Sequence, residues 1–557
     1  MRANRRVQAL AALLLTCSAP AISVMAQQTR ADAEKDPVLK AMLAELDRNK
    51  SQLQLKGFEK PFFIQYRLEE IEDYQTRADF GASLGEDHRH QRVARVTVRV
   101  GDYKIDSSTS RGDGSVELAS LDNDPLALRA GLWQATDQAY KAALAAYAQK
   151  QAQLKQVQTP PQQDDFSQET AVVSLEEPTH LALDTAAQRE AWVKRVSASS
   201  GLYRSGQDSK SSTADVQYST AVFHARAVNT YLVDSEGAVV RKGTASYEES
   251  FAVGTQAADG MHLDRSYASN GATLADLDSA EAFNKRAATL IASLADLRKA
   301  PLVEEEYHGP VLLSADAASD AMHDLLASAV TAVRPELGTE ARTKGPFASS
   351  FHARVLPDFL NVVDDPTLKT LNGKSLVGSY KIDDEGVPAQ TVKLISDGRL
   401  ENYLIGREPV RDFPKSNGHG RAALTGPARP AIGVLDVTAK QGLSDSELHD
   451  KLAALAKDRG LKSTYFVETM GPEMTPRLLY RIDADGKRQL VRGATLDDLD
   501  ERALRSGVLA AGKEPYIANY GGYVPQTVLS PALLFDDVTV KRANEKNDKL
   551  PFYPPPS

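Results

Sequence analysis

The chain has 557 residues, 42% hydrophobic and 25% charged, with a formal net charge of −9. That length predicts two or three domains, and the apolar content is enough to build a core in each. The acidic balance excludes a general nucleic-acid binder, which would show a basic surplus.

The first 26 residues read as a secretory signal. Arg2, Arg5 and Arg6 form a basic n-region, and Val7 to Leu15 is an apolar h-region, too short to span a bilayer comfortably. Ser23-Val24-Met25-Ala26 predicts cleavage after Ala26, giving a periplasmic or secreted protein that begins at Gln27. The sole cysteine, Cys17, lies inside this segment. Thr16 directly before it is unusual for lipid attachment, so lipidation of Cys17 is the minor alternative. No later run approaches ~20 apolar residues, so no transmembrane segment is expected. After cleavage no cysteine is left to form a disulfide.

Asp36-Pro37 starts a helix, with Val38, Met42, Leu43 and Leu46 at helical spacing. Phe62, Ile64 and Tyr66 alternate as a strand, as do Val96, Val98 and Val100. Arg92, Arg95 and Arg99 interleave with the latter and predict a solvated sheet face rather than a groove. His88 and His90 form a His-x-His pair with no third metal ligand in view, so they are expected on the surface. Pro125 to Lys155 is a long alanine-rich helix marked by Leu132, Trp133, Tyr140, Leu144 and Tyr147. Gln156 to Glu169 (residues 156–169) reads as an exposed linker. A helix over Ala186 to Ala198 follows. Next come strands over Gln217 to Ala227, Thr230 to Val233 and Val239 to Ala257, and a helix over Ser279 to Leu297. Residues 36–300 therefore read as a mixed α/β N-terminal domain.

Gly309 to Val330 (GPVLLSADAASDAMHDLLASAV) carries the chemical question. Pro310 to Leu313 is a candidate buried strand, and Asp316 and Ser319 are candidate N-caps. The helix that follows holds Met322, His323, Asp324, Leu325 and Leu326. Histidine followed by an acid on a helix points to metallopeptidase chemistry: imidazoles on one face hold zinc and a carboxylate takes the proton from bound water. His323 is the candidate metal ligand and Asp324 the candidate general base. One turn later stand Ala327 and Ser328, so no second imidazole is supplied. Adjacent helical positions do not share a face, which argues against both groups holding one ion.

Beyond it, Val362 and Val363 lead into Asp364-Asp365-Pro366. Asp383-Asp384-Glu385-Gly386 and Asp397-Gly398 mark tight turns between strands. These carboxylates lack calcium-loop spacing and read as turn formers. Ser444 and Glu447 form a capping box for a helix to Asp458. Hairpin signals continue around Asp485-Gly486, and a last strand covers Leu533 to Val540. Residues 309–545 thus read as a mostly antiparallel β, barrel-like C-terminal domain, followed by a proline-rich tail, 546–557. The fold class is α+β. No P-loop or Gly-x-Ser-x-Gly elbow occurs.

Four segments, in order, carry a resemblance: Tyr231 to Gly237 (YLVDSEG), Val363 to Pro366 (VDDP), Asp383 to Gly386 (DDEG) and Ser530 to Phe535 (SPALLF). With the His323 stretch they resemble the TldD/PmbA family over roughly Asp36 to Val540. TldD-type members carry His-Glu-x-x-x-His and a late cysteine as a zinc peptidase site; PmbA-type members lack the motif. On that pattern His323 matches the first ligand, Asp324 the glutamate, and Ser328 stands where the second histidine belongs. The cysteine is absent, which puts this chain nearer the degenerate branch. The expected cofactor is zinc if the centre is complete, and none with two ligands missing. The resemblance also implies paired subunits, a homodimer or a heterodimer with a related subunit, enclosing a chamber where peptide binds as an added strand. His419, Gly420 and Arg421 fall where the family has a glycine-rich loop ending in arginine, and are the candidate peptide-binding residues; a flexible surface loop is the equal alternative. Two functions follow: an exported metallopeptidase-related protein with an impaired centre, or a non-catalytic peptide-binding or partner subunit of a proteolytic assembly.

Overall fold

The computed structural model describes residues 28–109, 114–158, 163–204 and 216–544. The signal segment 1–26 with Cys17, and the tail 546–557, lie outside the described residues.

A seven-stranded sheet organises the first half, in the order Ser115–Ala119, Ala82–Val100, Pro61–Asp79, Tyr218–Asp234, Val239–Gln256 and Val173–Leu175, with His262–Gly271 also paired to Val239–Gln256. The two segments read as separate strands, Gln217 to Ala227 and Thr230 to Val233, are one continuous strand. Even-numbered residues of Pro61–Asp79, among them Ile64, Tyr66, Leu68, Tyr74 and Ala78, enter the helix-side cores. Pro37–Gln52 and Pro125–Leu154 cover one end of that face, and Ala186–Ser200 and Ala280–Lys299 the other. Each helix starts on a side chain that accepts backbone N–H groups: Asp36, Asp124, Thr185 and Ser279. Trp133, expected as a core mark of the long helix, is instead 54% exposed; Leu128, Leu132, Ala135, Ala139 and Tyr140 fill the core stripe.

The opposite face of the sheet is not solvated. Arg95, Arg99 and Arg67 lie there buried; Arg92, in register with Glu70, is buried on the helix side, where it donates to Ser120 O and Asn123 Oδ1. Arg67 donates to the carbonyls of Ala423, Leu424 and Gly426, and Arg95 to that of Thr425. Arg99 pairs with Asp106, and Arg92 with Glu70. The expectation of a solvated face fails because the C-terminal half covers it and offers carbonyl oxygens. A planar guanidinium satisfies these where an apolar residue would leave them unpaired. The predicted exposed linker is exposed at Gln156, Gln158, Asp164 and Gln168 but not throughout. In its described part Asp165, Phe166 and Ser167 are buried, and the Phe166 ring packs under the guanidinium groups of Arg99 and Arg407.

The second half holds two large sheets around one large core, with two further two-stranded sheets, Thr370–Leu371 with Lys374–Ser375 and Gly420–Arg421 with Arg429–Pro430. One large sheet runs Arg488–Val491, Pro476–Asp483, Ser463–Met470, Tyr307–Leu313, Leu533–Arg542 and Ala494–Asp497, with Val508–Ala511 also on Leu533–Arg542. The other runs Arg399–Leu400, Val392–Ser396, Leu360–Asp364, Val434–Ala439, Gln526–Ser530 and Tyr516–Tyr520. In these two sheets only Tyr307–Leu313 with Ser463–Met470, and Val434–Ala439 with Gln526–Ser530, pair in parallel. Asp397 and Gly398 both take positive φ, 51° and 73°, as a type I′ hairpin turn requires. The class is α+β with mostly antiparallel sheets. Among the described residues no helix is long and apolar enough to cross a membrane.

Candidate functional site

The helix Ala315–Leu326 sits at the centre of this half. The strand Tyr307–Leu313 delivers it, and Ser314 caps it, accepting from Ala317 N while donating to Glu468 O at 2.7 Å. Ser314 thus takes the role expected of Asp316 or Ser319; the Ser319 hydroxyl instead donates back to Ala315 O. Ala317, Ala318, Ala321, Met322, Leu325 and Leu326 pack into the core. The small residues among them let the helix lie close to its sheets. Asp316, Asp320, His323 and Asp324, at i, i+4, i+7 and i+8, line the other face.

His323 is gripped from the hairpin Tyr516–Tyr520/Gln526–Ser530, where Tyr520 and Gln526 are cross-strand partners. Its Nε2 lies 2.9 Å from Gln526 Oε1 and its Nδ1 3.4 Å from Asp324 Oδ1. Adjacent side chains therefore do touch here, although the helix sets them apart in direction. The Tyr520 ring stacks on the imidazole with centroids 4.0 Å apart, and its hydroxyl donates to Asp320 Oδ1 at 2.8 Å. Burial, then the Asp320 carboxylate, raises the Tyr520 hydroxyl far above the usual phenol range. Burial also raises Asp320, and it pushes Asp316 up to about 6 with help from Asp320 and Glu468. Ser328 is exposed, two residues past the helix end. Among the described residues no group of three histidines, cysteines, aspartates or glutamates is placed to hold a metal ion. His352 sits on the surface against Glu401, and His88 and His90 face Glu72 and Glu70 on the exposed long hairpin.

The stretch 416–422 is no flexible surface loop. His419 is fully buried, its Nε2 3.1 Å from Asp364 Oδ1 and its Nδ1 3.0 Å from Asn417 O. Gly420 N donates to Asp383 Oδ2, and Gly420 O accepts from Asp384 N. A Cβ at Gly420 would lie 2.1 Å from Glu385 Oε2, so no larger residue fits without a shift. The Arg421 guanidinium lies 4.1 Å over the Tyr380 ring, with Nε 3.7 Å from Asp384 Oδ2 and Nη2 3.5 Å from Pro525 O. Because Gln526 follows Pro525, the two stretches singled out in the sequence converge on the start of one strand.

The acidic turn beneath this stretch is more than a turn. Asp383 accepts from the amides of Glu385, Val387 and Gly420. Asp384 is clamped by Lys242 Nζ at 2.6 Å. Burial alone would raise it, but Lys242, Arg421 and Arg67 hold it down to about 2. Glu385 is raised by burial and by Asp383, and accepts from Arg407 N. Tyr520, Gln526 and Lys242 were not legible as site residues. The aspartates at i, i+4 and i+8 carried a helical signal that would have singled out their face.

Residues 305–542 match the PmbA/TldA metallopeptidase C-terminal domain. A metalloprotease of Methanocaldococcus jannaschii is 36% identical over 77 residues, 14% of this chain and 16% of the relative. A metalloprotease TldD homolog of Haemophilus influenzae is 27% identical over 217 residues, 36% of this chain and 42% of the relative. The chain therefore aligns with less than half the length of either. The crystal structure of TldE from Thermococcus kodakarensis superposes with a TM-score of 0.59, covering 90% of this chain and 100% of the other at 13% identity; that likeness is one of fold.

Proposed function

Because the chain belongs to the TldD/PmbA family of metallopeptidase-related proteins, we propose that it is an exported, peptide-handling member whose metal centre has been lost, so that it binds extended peptide without cleaving it. One observation carries the reading. Both ring nitrogens of His323 already face protein partners, Gln526 and Asp324, and Tyr520 covers a face of the ring. A catalytic zinc site needs three protein ligands and an open position for water. Here, among the described residues, no set of three ligands gathers around the imidazole: Asp324 lies beside it, Asp320 accepts from the Tyr520 hydroxyl, and the remaining neighbours are an amide and a phenol, which are poor zinc donors. These residues do not fit zinc, and Asp324 then has no metal-bound water from which to take a proton.

Peptide would enter as an added strand, held by main-chain hydrogen bonds. His419, Gly420 and Arg421 fix the floor of that path, with Arg421 supplying the positive charge beside Pro525. The expected partner is a second, related subunit or another copy of this chain. Export rests on the N-terminal pattern.

Metal analysis and peptide hydrolysis on the purified protein, with and without added zinc, test the reading. Zinc well below one per chain, unchanged in His323→Ala, with peptide bound but intact, is expected. Stoichiometric zinc that disappears in His323→Ala, together with peptide cleavage, overturns it. N-terminal sequencing of protein from the cell envelope should begin at Gln27; an intact Met1 in the cytoplasm would remove export.

A further inference from the structure

Where the C-terminal half closes over the N-terminal sheet it leaves a small space, about 30 Å³. Arg67, Arg95 and Arg99 wall it from the sheet, Arg407 from the other half, and Pro427 and Ala428 from the loop above. A void of that size holds one or two water-sized bodies and no amino-acid side chain. Four guanidinium groups therefore surround room for little more than one ion.

Arg67 is only 3% exposed, yet its hydrogen bonds all leave from Nη2, to the carbonyls of Ala423, Leu424 and Gly426. Its Nε is sealed from solvent without a hydrogen-bond acceptor; Glu69 Oε1 lies 3.3 Å away but is not positioned to accept. Its Nη1 makes no hydrogen bond among the described residues. A buried cation thus keeps N–H groups with nothing to bind, which native interiors avoid. The neighbouring cations are held in place. Arg99 and Arg407 lie 4.2 and 4.0 Å over the Phe166 ring, and Arg95 donates to Thr425 O. Asp106 pairs with Arg99 and Glu236 with Arg407, but neither carboxylate lines the void. Of the two acids that do, Glu408 lies 3.7 Å from Arg99 and 3.3 Å from Arg429. The other, Glu385, is raised to about 8 by burial and by Asp383, so it carries its proton at neutral pH. The wall is left positive and rich in donors.

We propose that this cavity binds one small monovalent anion of chloride's size, held by Arg67 and shared with Arg95 and Arg407. Such an ion accepts hydrogen bonds from any direction and brings no donor that would need a partner. Bound there, it pins the C-terminal half to the N-terminal sheet, because its ligands come from both. The site stands apart from the His323 face and does not depend on peptide binding.

Thermal unfolding of the full mature chain at fixed ionic strength tests it, with chloride exchanged for gluconate, which is too large to enter. Chloride and bromide should raise the melting temperature saturably by roughly 2 °C over gluconate. Fixed ionic strength removes general screening as the cause. Arg67→Gln removes the unsatisfied donors and should abolish the increment. Ala428→Leu fills the void, leaves every charge in place and should abolish it too. Should Arg67→Gln fail to fold, Ala428→Leu decides. In crystals grown with bromide, an anomalous peak is expected beside the Arg67 guanidinium. Equal melting in chloride and gluconate, an increment that survives Ala428→Leu, or a cavity holding water alone in bromide crystals would each overturn the proposal.

Discussion

Replacing Lys242 with methionine tests the clamp that ties the acidic turn to the N-terminal sheet. The ammonium lies 2.6 Å from Asp384 Oδ1, with side chains 14% and 11% exposed, and also donates to Ile382 O. At an effective dielectric constant of about 20 the direct attraction is roughly 6 kcal/mol, most of it offset by desolvation of both ions. The lowering of Asp384 from 3.8 to about 2 gives a net figure. Converted by linkage, it amounts to about 2 kcal/mol, shared among Lys242, Arg421 and Arg67. Lys242→Met leaves Asp384 with Arg421 at 3.7 Å, so the expected loss is about 2–3 kcal/mol at neutral pH, slightly below that for an isolated buried pair. The sign with pH follows from a depressed carboxyl. Its stabilisation is complete above the unfolded value and fades as pH falls through the folded one. The gap between wild type and variant should therefore be full at pH 7 and close between pH 4 and 2. Urea unfolding followed by circular dichroism measures it. A gap that is constant with pH would show that Asp384 does not carry the effect.

Asp316, pushed up to about 6, behaves in the opposite sense: burying its charge costs stability as pH rises through that value. Asp316→Asn should leave stability at pH 4 nearly unchanged and raise it by about 2 kcal/mol at pH 7, read as a pH-dependent gain in melting temperature. Gly420→Ala drives a Cβ toward Glu385 Oε2 and should cost about 1–3 kcal/mol in urea, with Glu385→Gln unable to relieve it because the contact is steric. Tyr520→Phe keeps the ring on His323 but removes the donor to Asp320. A loss of about 1 kcal/mol is expected, and no change at all would mean that the hydroxyl contributes nothing.

Periodicity and capping residues made most of the N-terminal helices and hairpins legible, because those signals act within a few residues. Ser444 with Glu447, and Asp397 with Gly398, behave as their local chemistry dictates. Arg92, Arg95 and Arg99 misled for the converse reason. An arginine reads as exposed unless something supplies acceptors, and here the carbonyl of Thr425 and the carboxylate of Asp106 come from other elements. At the candidate site His323 and Asp324 were visible as a motif, while the residues that occupy the imidazole were not. Gln526 lies 203 positions away and is brought in by a hairpin whose docking no spacing rule encodes. Trp133 shows the limit of counting apolar residues: its helical phase, not its chemistry, puts it outside.

The strand that leads into the His323 helix lies between Ser463–Met470 on one side and Leu533–Arg542 on the other. Both neighbours are made long after it, so during synthesis Tyr307–Leu313 waits unpaired for more than two hundred residues before its second border arrives. Contacts of such separation fold late and slowly. A chain truncated before Leu533 would leave its central strand with one bare flank. Arrival of Leu533–Arg542, rather than the helix itself, therefore decides when the C-terminal sheet closes.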